Sequence, residues 1–339
     1  MAQPVLRLGL IGYGTVGHAF ARALAESHDR IARRLPARLH LARIAVRHPD
    51  RLRGLTHDAQ VCDDAASVAA DPSLDLIVEA TGDPTASAWL RASLQRGAAT
   101  ISANKQTIAA SLPLLRALAE RHPLFQCEGA VAAAVPIVRA LRDSLDGEEI
   151  LDIRGILNGT TTFLLSEVEQ GGDFHEALGA AVTLGLTERN STADLSGADA
   201  AAKLAILATI AWRAPVTSDQ VRVRGIDERV TDAARVAFEN GRRLRLVAEA
   251  WHDNALRLVV EPRTLDASDP LATVTGVTNA VELHAALAGQ LRWFGPGAGG
   301  DRTASALLGD VFTAVRALAG TTREPLTEPA IVTGERVAA

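Results

Sequence analysis

VLRLGLIGYGTVGHAF, running from Val5 to Phe20, is the stretch whose reading decides the fold. Val5 to Ile11 is a short apolar run rich in strand formers. Gly12, Gly14 and Gly17 follow in the pattern GxGxxG, and Ala19, Ala23 and Leu24 then recur at helical spacing. Strand, glycine turn and helix in that order make a dinucleotide-binding unit. The first glycine permits the tight turn, the second admits a pyrophosphate to the backbone, and the third lets helix and strand pack closely. The helix N-terminus then favours phosphate charge. The plain alternative is a glycine-rich βα turn that binds nothing.

Working outward, the second strand is predicted over Leu39–Val46. An NAD site carries an acid near the end of that strand, to hold the ribose hydroxyls. Here the chain reads Val46-Arg47-His48, with no acid until Asp50. Arg47 suits a 2′-phosphate and tilts the reading from NAD toward NADP, although it is also one surface arginine among many. The strand Leu74–Val78 runs into Glu79-Ala80-Thr81-Gly82, and a small residue and a glycine at that strand end fit the crevice where an open α/β sheet binds its ligand. A helix over Thr85–Gln95 and a strand over Ala99–Ser102 follow. Ser102 opens Ser102-Ala103-Asn104-Lys105, and Lys105 at the end of a parallel strand points into the same crevice or simply into solvent. Leu124–Cys127 reads as one more strand. It leads to the small residues from Glu128 to Pro136, whose carbonyls face a ligand or a cation, or only pack a tight loop.

Near residue 140 the pattern changes. Glu149–Leu157 is strand-like, and Asn158 is an N-cap for the helix after it. Helices are predicted over Thr161–Glu169 and Phe174–Leu184. Arg242–Trp251, Leu256–Glu261, Ala280–Leu287 and Leu291–Phe294 read as an antiparallel sheet with one face covered by helices, and Thr303–Leu318 reads as a helix. The expected fold is α/β: a Rossmann-type doubly wound parallel sheet over residues 1–138, then an α+β catalytic and dimerisation domain over 139–300. The helix at 301–320 returns to the nucleotide domain, and 321–339 is a tail.

Composition narrows the partners. The chain has 339 residues, 47% of them hydrophobic, and a net charge of −5 without a basic stripe, which argues against nucleic acid. Cys62 and Cys127 give neither a disulfide framework nor a metal spacing, as expected in a reducing cytoplasm. No apolar run is long enough for a membrane span, and the N-terminus enters its first strand without a signal-peptide pattern.

Leu184 to Ile206 concentrates the charged chemistry. It holds Glu188, Asp194, Asp199 and Lys203, and Lys105 and Lys203 are the two lysines in a chain with 35 basic residues. A position that stays lysine points to a compact ammonium whose pKa can shift and whose proton can move. Asp199 and Lys203, four apart, share one helix face. A bland account competes: Ser196-x-x-Asp199 matches a capping box, and the pair is then an ordinary helix ion pair. Against it, AAAKLAILATIAW has the composition of a buried helix, and a buried lysine needs a partner carboxylate.

With these residues assembled, the chain resembles homoserine dehydrogenase in its form without a kinase or regulatory domain. The motifs are GYGTVG at 12–17, SANK at 102–105, EGAVAAAVPIV at 128–138, GILNGTT at 155–161, LGLTE at 184–188, DLSGADAAAKLAIL at 194–207 and GPGAGGDRTASALLGD at 295–310. The resemblance implies oxidation of L-homoserine to L-aspartate 4-semialdehyde, or the reverse reduction, with NADP or NAD. It implies that Lys203 is the proton donor and acceptor, with Asp199 its partner and Lys105 reaching substrate and nicotinamide. Glu188 would hold the substrate amino group, with Asp194 and Gly185 in the same shell. Thr15 and Val16 would lie at the pyrophosphate, with Thr81, Gly82, Ser102, Gly185 and Gly300 near the cofactor. Glu128, Val131, Ala133 and Val135 match a monovalent-cation site such as sodium, built from backbone carbonyls. A homodimer is implied too. The chain departs from the family where two glycines are replaced by Ala133 and Ala134. This keeps two other readings open: a dehydrogenase for another small hydroxy or amino acid, or a nucleotide-binding paralogue without catalysis.

Overall fold

The computed structural model describes residues 3–52, 58–187 and 191–319. The first sheet contains β1 (Val5–Ile11), β2 (Arg38–Ala45), β3 (Gln60–Cys62), β4 (Leu76–Glu79), β5 (Ala99–Ser102) and β6 (Phe125–Gln126). All pair in parallel, in the order β3-β2-β1-β4-β5-β6. They alternate with α1 (Thr15–Glu26), α2 (His28–Arg34), α3 (Ala65–Ala70), α4 (Ala86–Gln95), α5 (Lys105–Ala110) and α6 (Leu112–Ala119). A parallel sheet covered on both faces needs continuous apolar strands, and Leu76, Ile77 and Val78 are all fully buried. The strand order reverses between β1 and β4. That switch point puts a crevice at their C-terminal ends.

A short α7 (Ile137–Arg139) runs into a π-helical turn at Ala140–Ser144. The second sheet follows, built from β7 (Ile150–Ile156), β8 (Arg222–Val223), β9 (Arg243–His252), β10 (Leu256–Leu265), β11 (Thr278–Ala285) and β12 (Gly289–Pro296). Its order is β12-β11-β7-β9-β10-β8. It is antiparallel except where β8 joins β10, a parallel edge that the alternation of the longer strands does not reveal. Its helices are α8 (Gly159–Glu169), α9 (Phe174–Thr183), α10 (Thr192–Leu195), α11 (Ala198–Ala211) and α12 (Val230–Glu239). The largest core joins Ile153, Leu246, Ala248, Val281 and Leu283 of the sheet to Leu204, Leu207 and Ala208 of α11. Burying each of those leucines contributes about 1.5–3 kcal/mol. Every residue of α11 from Asp199 to Ile210 is buried, which explains a helix that is apolar on all sides.

The last described helix, α13 (Gly300–Leu318), places Ala304, Leu307, Val311 and Val315 in one cluster with Leu8, Phe20 and Leu24. It begins three residues before its expected start because Gly299, at φ +118°, makes the corner. The capping box at Ser196 is overturned. Gly197 is the N-cap of α11, in the left-handed region at φ +83°, without a side-chain cap. A methyl at Gly197 would lie 2.9 Å from Val223, so the close packing there selects glycine. The Asp199 carboxylate is consequently free to face the crevice.

Candidate active site

The crevice is shaped first by the glycine turn. Gly12 has φ +95°, and a Cβ there would meet the Ala80 carbonyl oxygen at 2.8 Å. A Cβ on Gly17 would sit 2.1 Å from the Gly12 carbonyl, whereas one on Gly14 would meet nothing within 4 Å. The outer glycines therefore serve close packing and the middle one leaves open space. Helix α1 starts there with Gly14 as N-cap, no side-chain cap and no acid in its first turn. That combination fits a phosphate group.

Two cavities meet at this turn. One, of about 850 Å³, runs from Tyr13 and Gly14 past Val46, Arg47 and His48. The other, of about 540 Å³, is lined by Thr15, Val16, Lys105, Asp194, Asp199 and Lys203. Ala80, Thr81 and Gly82 line both. Arg47 is 80% exposed and pairs with Asp83 at 3.5 Å. Gly185, at φ +69°, lines the second cavity.

In that second cavity one carboxylate serves two ammonium groups. Asp199 Oδ2 lies 2.9 Å from Lys203 Nζ, and Asp199 Oδ1 lies 3.0 Å from Lys105 Nζ. Lys203 comes from one turn further along α11, whereas Lys105 crosses from the start of α5. Lys203 also donates to the Leu157 carbonyl at 2.5 Å, and Asn279 Nδ2 donates to the same oxygen at 3.0 Å. Asn158 Nδ2 bridges the acids, donating to Asp194 at 2.6 Å and to Asp199 at 3.0 Å. The Thr187 hydroxyl donates to Asp194 at 2.6 Å.

This sharing separates the lysines. Burial pushes the Lys203 ammonium toward its neutral form, Asp199 opposes this, and the like charge of Lys105 adds to it, so its pKa is lowered. For Lys105 the attraction of Asp199 is the largest effect and exceeds desolvation, so its pKa is raised. Burial would raise the Asp199 carboxyl, but Lys203 and Lys105 outweigh it and hold it well below the usual carboxylate range.

The other expected residues divide. Glu188 lies outside the described residues. Ser102 does not reach the cavity: it is fully buried and its hydroxyl donates to Glu79 at 2.5 Å. Gly300 packs on the Thr15 carbonyl, where a Cβ would stand at 3.0 Å, while Gly297 and Gly299 line the cavity. Ala133 lines the cavity, but Glu128, Val131 and Val135 lie behind it. The Glu128 carboxylate accepts the amide hydrogens of Val138 and Arg139. Ala132 and Ala133 have φ +52° and +45°, the left-handed region that favours glycine. Asn279 and Thr187 are polar residues at this site to which the sequence reading gives no role, and Glu79, read there only as a strand end, is fully buried beneath Thr81. For Asn279 the signal was a polar residue inside a buried strand.

Chain similarity bears on this site directly. Residues 12–124 match the family model described as homoserine dehydrogenase, NAD binding domain, and residues 136–312 match the model described as homoserine dehydrogenase. Homoserine dehydrogenase of Mycobacterium tuberculosis is 38% identical over 319 residues, covering 91% of this chain and 72% of that protein. This chain belongs to the homoserine dehydrogenase family. A homoserine dehydrogenase structure from Thiobacillus denitrificans aligns with TM-score 0.85 at 30% identity, over 96% of this chain and 77% of that one. A hyperthermophilic archaeal homoserine dehydrogenase in complex with NADPH aligns with TM-score 0.77 at 25% identity, over 94% and 99%.

Family membership makes the protein an NAD(P)-dependent oxidoreductase acting on the CH–OH group of homoserine. Homoserine dehydrogenase chemistry needs a hydride acceptor beside the carbinol carbon and a proton acceptor beside its oxygen. The two cavities, joined at Ala80–Gly82, supply a nucleotide cleft and a charged chamber in contact. Among the described residues no cluster of three or more His, Cys, Asp or Glu could hold a metal ion, and no helix is long and apolar enough to cross a membrane.

Proposed function

We propose that Lys203 takes the proton from the homoserine hydroxyl during oxidation and returns it to the aldehyde oxygen during reduction. The observation that carries this is one buried carboxylate, Asp199, held between two ammonium groups, with Lys203 the more easily deprotonated. A lowered lysine pKa suits a group that gains and loses a proton near working pH. Lys105 stays cationic and faces developing charge on the substrate oxygen. Asp194, Gly185 and Glu188 hold the substrate amino group in this reading. Asn158 keeps the two aspartates in register.

The nicotinamide, when bound, supplies the hydride acceptor. Gly12, Gly14, Thr15, Val16 and Gly17 would hold the pyrophosphate, with Thr81 and Gly82 near the ribose and Gly300 packing behind. Arg47 favours NADP through its 2′-phosphate, supported by its exposure at the mouth of the nucleotide cleft. We extend the proposal to a monovalent cation such as sodium on the carbonyls of Glu128, Val131, Ala133 and Val135. The Glu128 carboxylate is engaged by the Val138 and Arg139 amides, so coordination would rest on backbone carbonyls, of which those of Glu128 and Val135 also accept the Val131 and Ile137 amides at 3.2 and 2.8 Å.

We also propose the division into domains at 1–138 and 139–300, supported by the two separate sheets, although the largest cluster joins Leu114, Leu118 and Phe125 of the first to Ile153 and Leu204 of the second. A homodimer is supported by the edge strand β12, where Phe294 is half exposed. A cytoplasmic location accords with two free thiols. The test is a steady-state assay of purified protein with L-homoserine and each cofactor, with and without sodium. Homoserine-dependent reduction with a lower KM for NADP is expected. No turnover in either direction contradicts the catalytic assignment, and an equal KM for NAD contradicts the role of Arg47.

A further inference from the structure

Glu79 is a fully buried acid at the C-terminal end of β4, beneath both cavities, and the mechanism above does not use it. Its carboxylate is surrounded by uncharged donors. Oε1 accepts the Thr81 amide at 2.7 Å, the Thr81 hydroxyl at 2.5 Å and Asn104 Nδ2 at 3.5 Å. Oε2 accepts the Ser102 hydroxyl at 2.5 Å. Among the described residues Glu79 makes no ion pair. Burial pushes its carboxyl toward the protonated form and the Ser102, Thr81 and Asn104 donors oppose this, so its ionised form depends on those donors staying in place.

The same pattern stands on both sides of the carboxylate. The Thr81 hydroxyl accepts the Asp83 amide at 3.1 Å while it donates to Glu79. The Ser102 hydroxyl accepts the Asn104 amide at 3.0 Å while it donates to Glu79. One side is the loop that lines both cavities at Thr81 and Gly82. The other side ends at Asn104, which caps α5 through the Thr107 amide. The first residue of α5 is Lys105, 3.0 Å from Asp199.

We propose that Glu79 is a positioning residue that locks the cofactor-facing loop at Thr81 to the start of α5, and so sets Lys105 against Asp199. This rests on the role given to Lys105 above. Direct lacing between the loops also exists, since the Asp83 carbonyl accepts from Asn104 Nδ2 and the Thr107 hydroxyl, each at 3.0 Å. Loss of Glu79 therefore loosens Lys105 without releasing it.

The experiment is a double-mutant cycle of Glu79→Gln and Lys105→Ala, reading kcat and KM with L-homoserine and the cofactor's Kd by calorimetry, with thermal midpoints to confirm folding. Glu79→Gln alone lowers kcat about tenfold, the scale for a slightly misplaced group, and weakens the cofactor severalfold through Thr81. In the Lys105→Ala background its further effect on kcat falls below twofold. Additive effects on kcat, as a merely structural residue gives, overturn the proposal. If Lys105→Ala alone leaves kcat unchanged, the reading of Lys105 fails and the coupling fails with it. Additivity with a strongly impaired Lys105→Ala overturns the coupling alone. Should Glu79→Gln not fold, Ser102→Ala removes one donor from the same carboxylate and is read by the same cycle.

Discussion

Replacing Lys203 with alanine removes the group that exchanges a proton with the substrate oxygen. General acid–base catalysis by one side chain is worth about 10² to 10⁴ in rate, so kcat should fall by that factor, about 3–5 kcal/mol on the barrier. The fold should survive. Stripping one partner from a buried ion pair ordinarily costs about 3–5 kcal/mol, because the remaining charge is stranded. Here Asp199 keeps Lys105 at 3.0 Å and Asn158 at 3.0 Å, so its charge stays compensated. The burial cost of the Lys203 ammonium also disappears. The expected loss is about 1–2 kcal/mol, a fall of a few degrees in Tm. Steady-state kinetics and thermal unfolding on the same preparation read both. Ethylamine or methylamine should restore part of the rate, since the truncated side chain leaves room beside the Leu157 carbonyl. A loss under tenfold with Tm intact would return Asp199 and Lys203 to an ordinary helix pair. A rate loss that only follows unfolding would do the same.

Three further outcomes are expected. Arg47→Ala should raise Kd for NADP by about tenfold while NAD changes less than twofold, consistent with losing one exposed phosphate contact; equal changes in calorimetry would remove the 2′-phosphate role. Ala133→Gly relieves a left-handed alanine and should stabilise by about 1 kcal/mol in denaturant titration; a loss of stability would mean that the methyl packs favourably enough to outweigh the strain. Asp310 is buried, and burial first, then Glu128, pushes its carboxyl from 3.8 up to about 7. The folded chain then keeps a proton that the unfolded chain has released, so this group's stabilisation declines as pH rises from about 4 to about 7, by on the order of 2–4 kcal/mol. Asp310→Asn should flatten stability across that window, and an unchanged slope would rule the group out.

The nucleotide half was legible because its signals are local. Gly12, Gly14 and Gly17 follow an apolar strand, and the switch point between β1 and β4 follows from the alternation of strands and helices. Lys203 and Asp199 stood out through spacing and through the scarcity of lysine. Lys105 was recognised as a loop lysine, although its meeting with Asp199 joins elements 94 residues apart. What sequence could not give were single polar residues with non-local partners. Asn158 reads correctly as an N-cap, since its side chain accepts the Thr161 amide. Its other end, bridging Asp194 and Asp199, depends on how α8 meets α11. Asn279 and Leu157 are brought within reach of each other by the pairing of β11 with β7. The capping box at Ser196 failed because tertiary packing against Val223 chose a glycine corner over a local hydrogen bond. Ser102 was placed at the right strand end but on the wrong side, because the partner that draws it inward is Glu79 on the neighbouring strand.

The central claim is that Lys203 is the proton acceptor and that its neighbours set its readiness. In the oxidation direction the rate should rise with pH as Lys203 loses its proton, at a pH below the 10.5 of an isolated lysine. Lys105 lowers the Lys203 pKa and Asp199 raises it. The decisive measurement is therefore the pH profile of kcat/KM for L-homoserine in the parent, Lys105→Ala and Asp199→Asn proteins. The rising limb should move to higher pH in Lys105→Ala and to lower pH in Asp199→Asn. A limb that stays in place in both variants, or moves the same way in both, would contradict Lys203 as the titrating base.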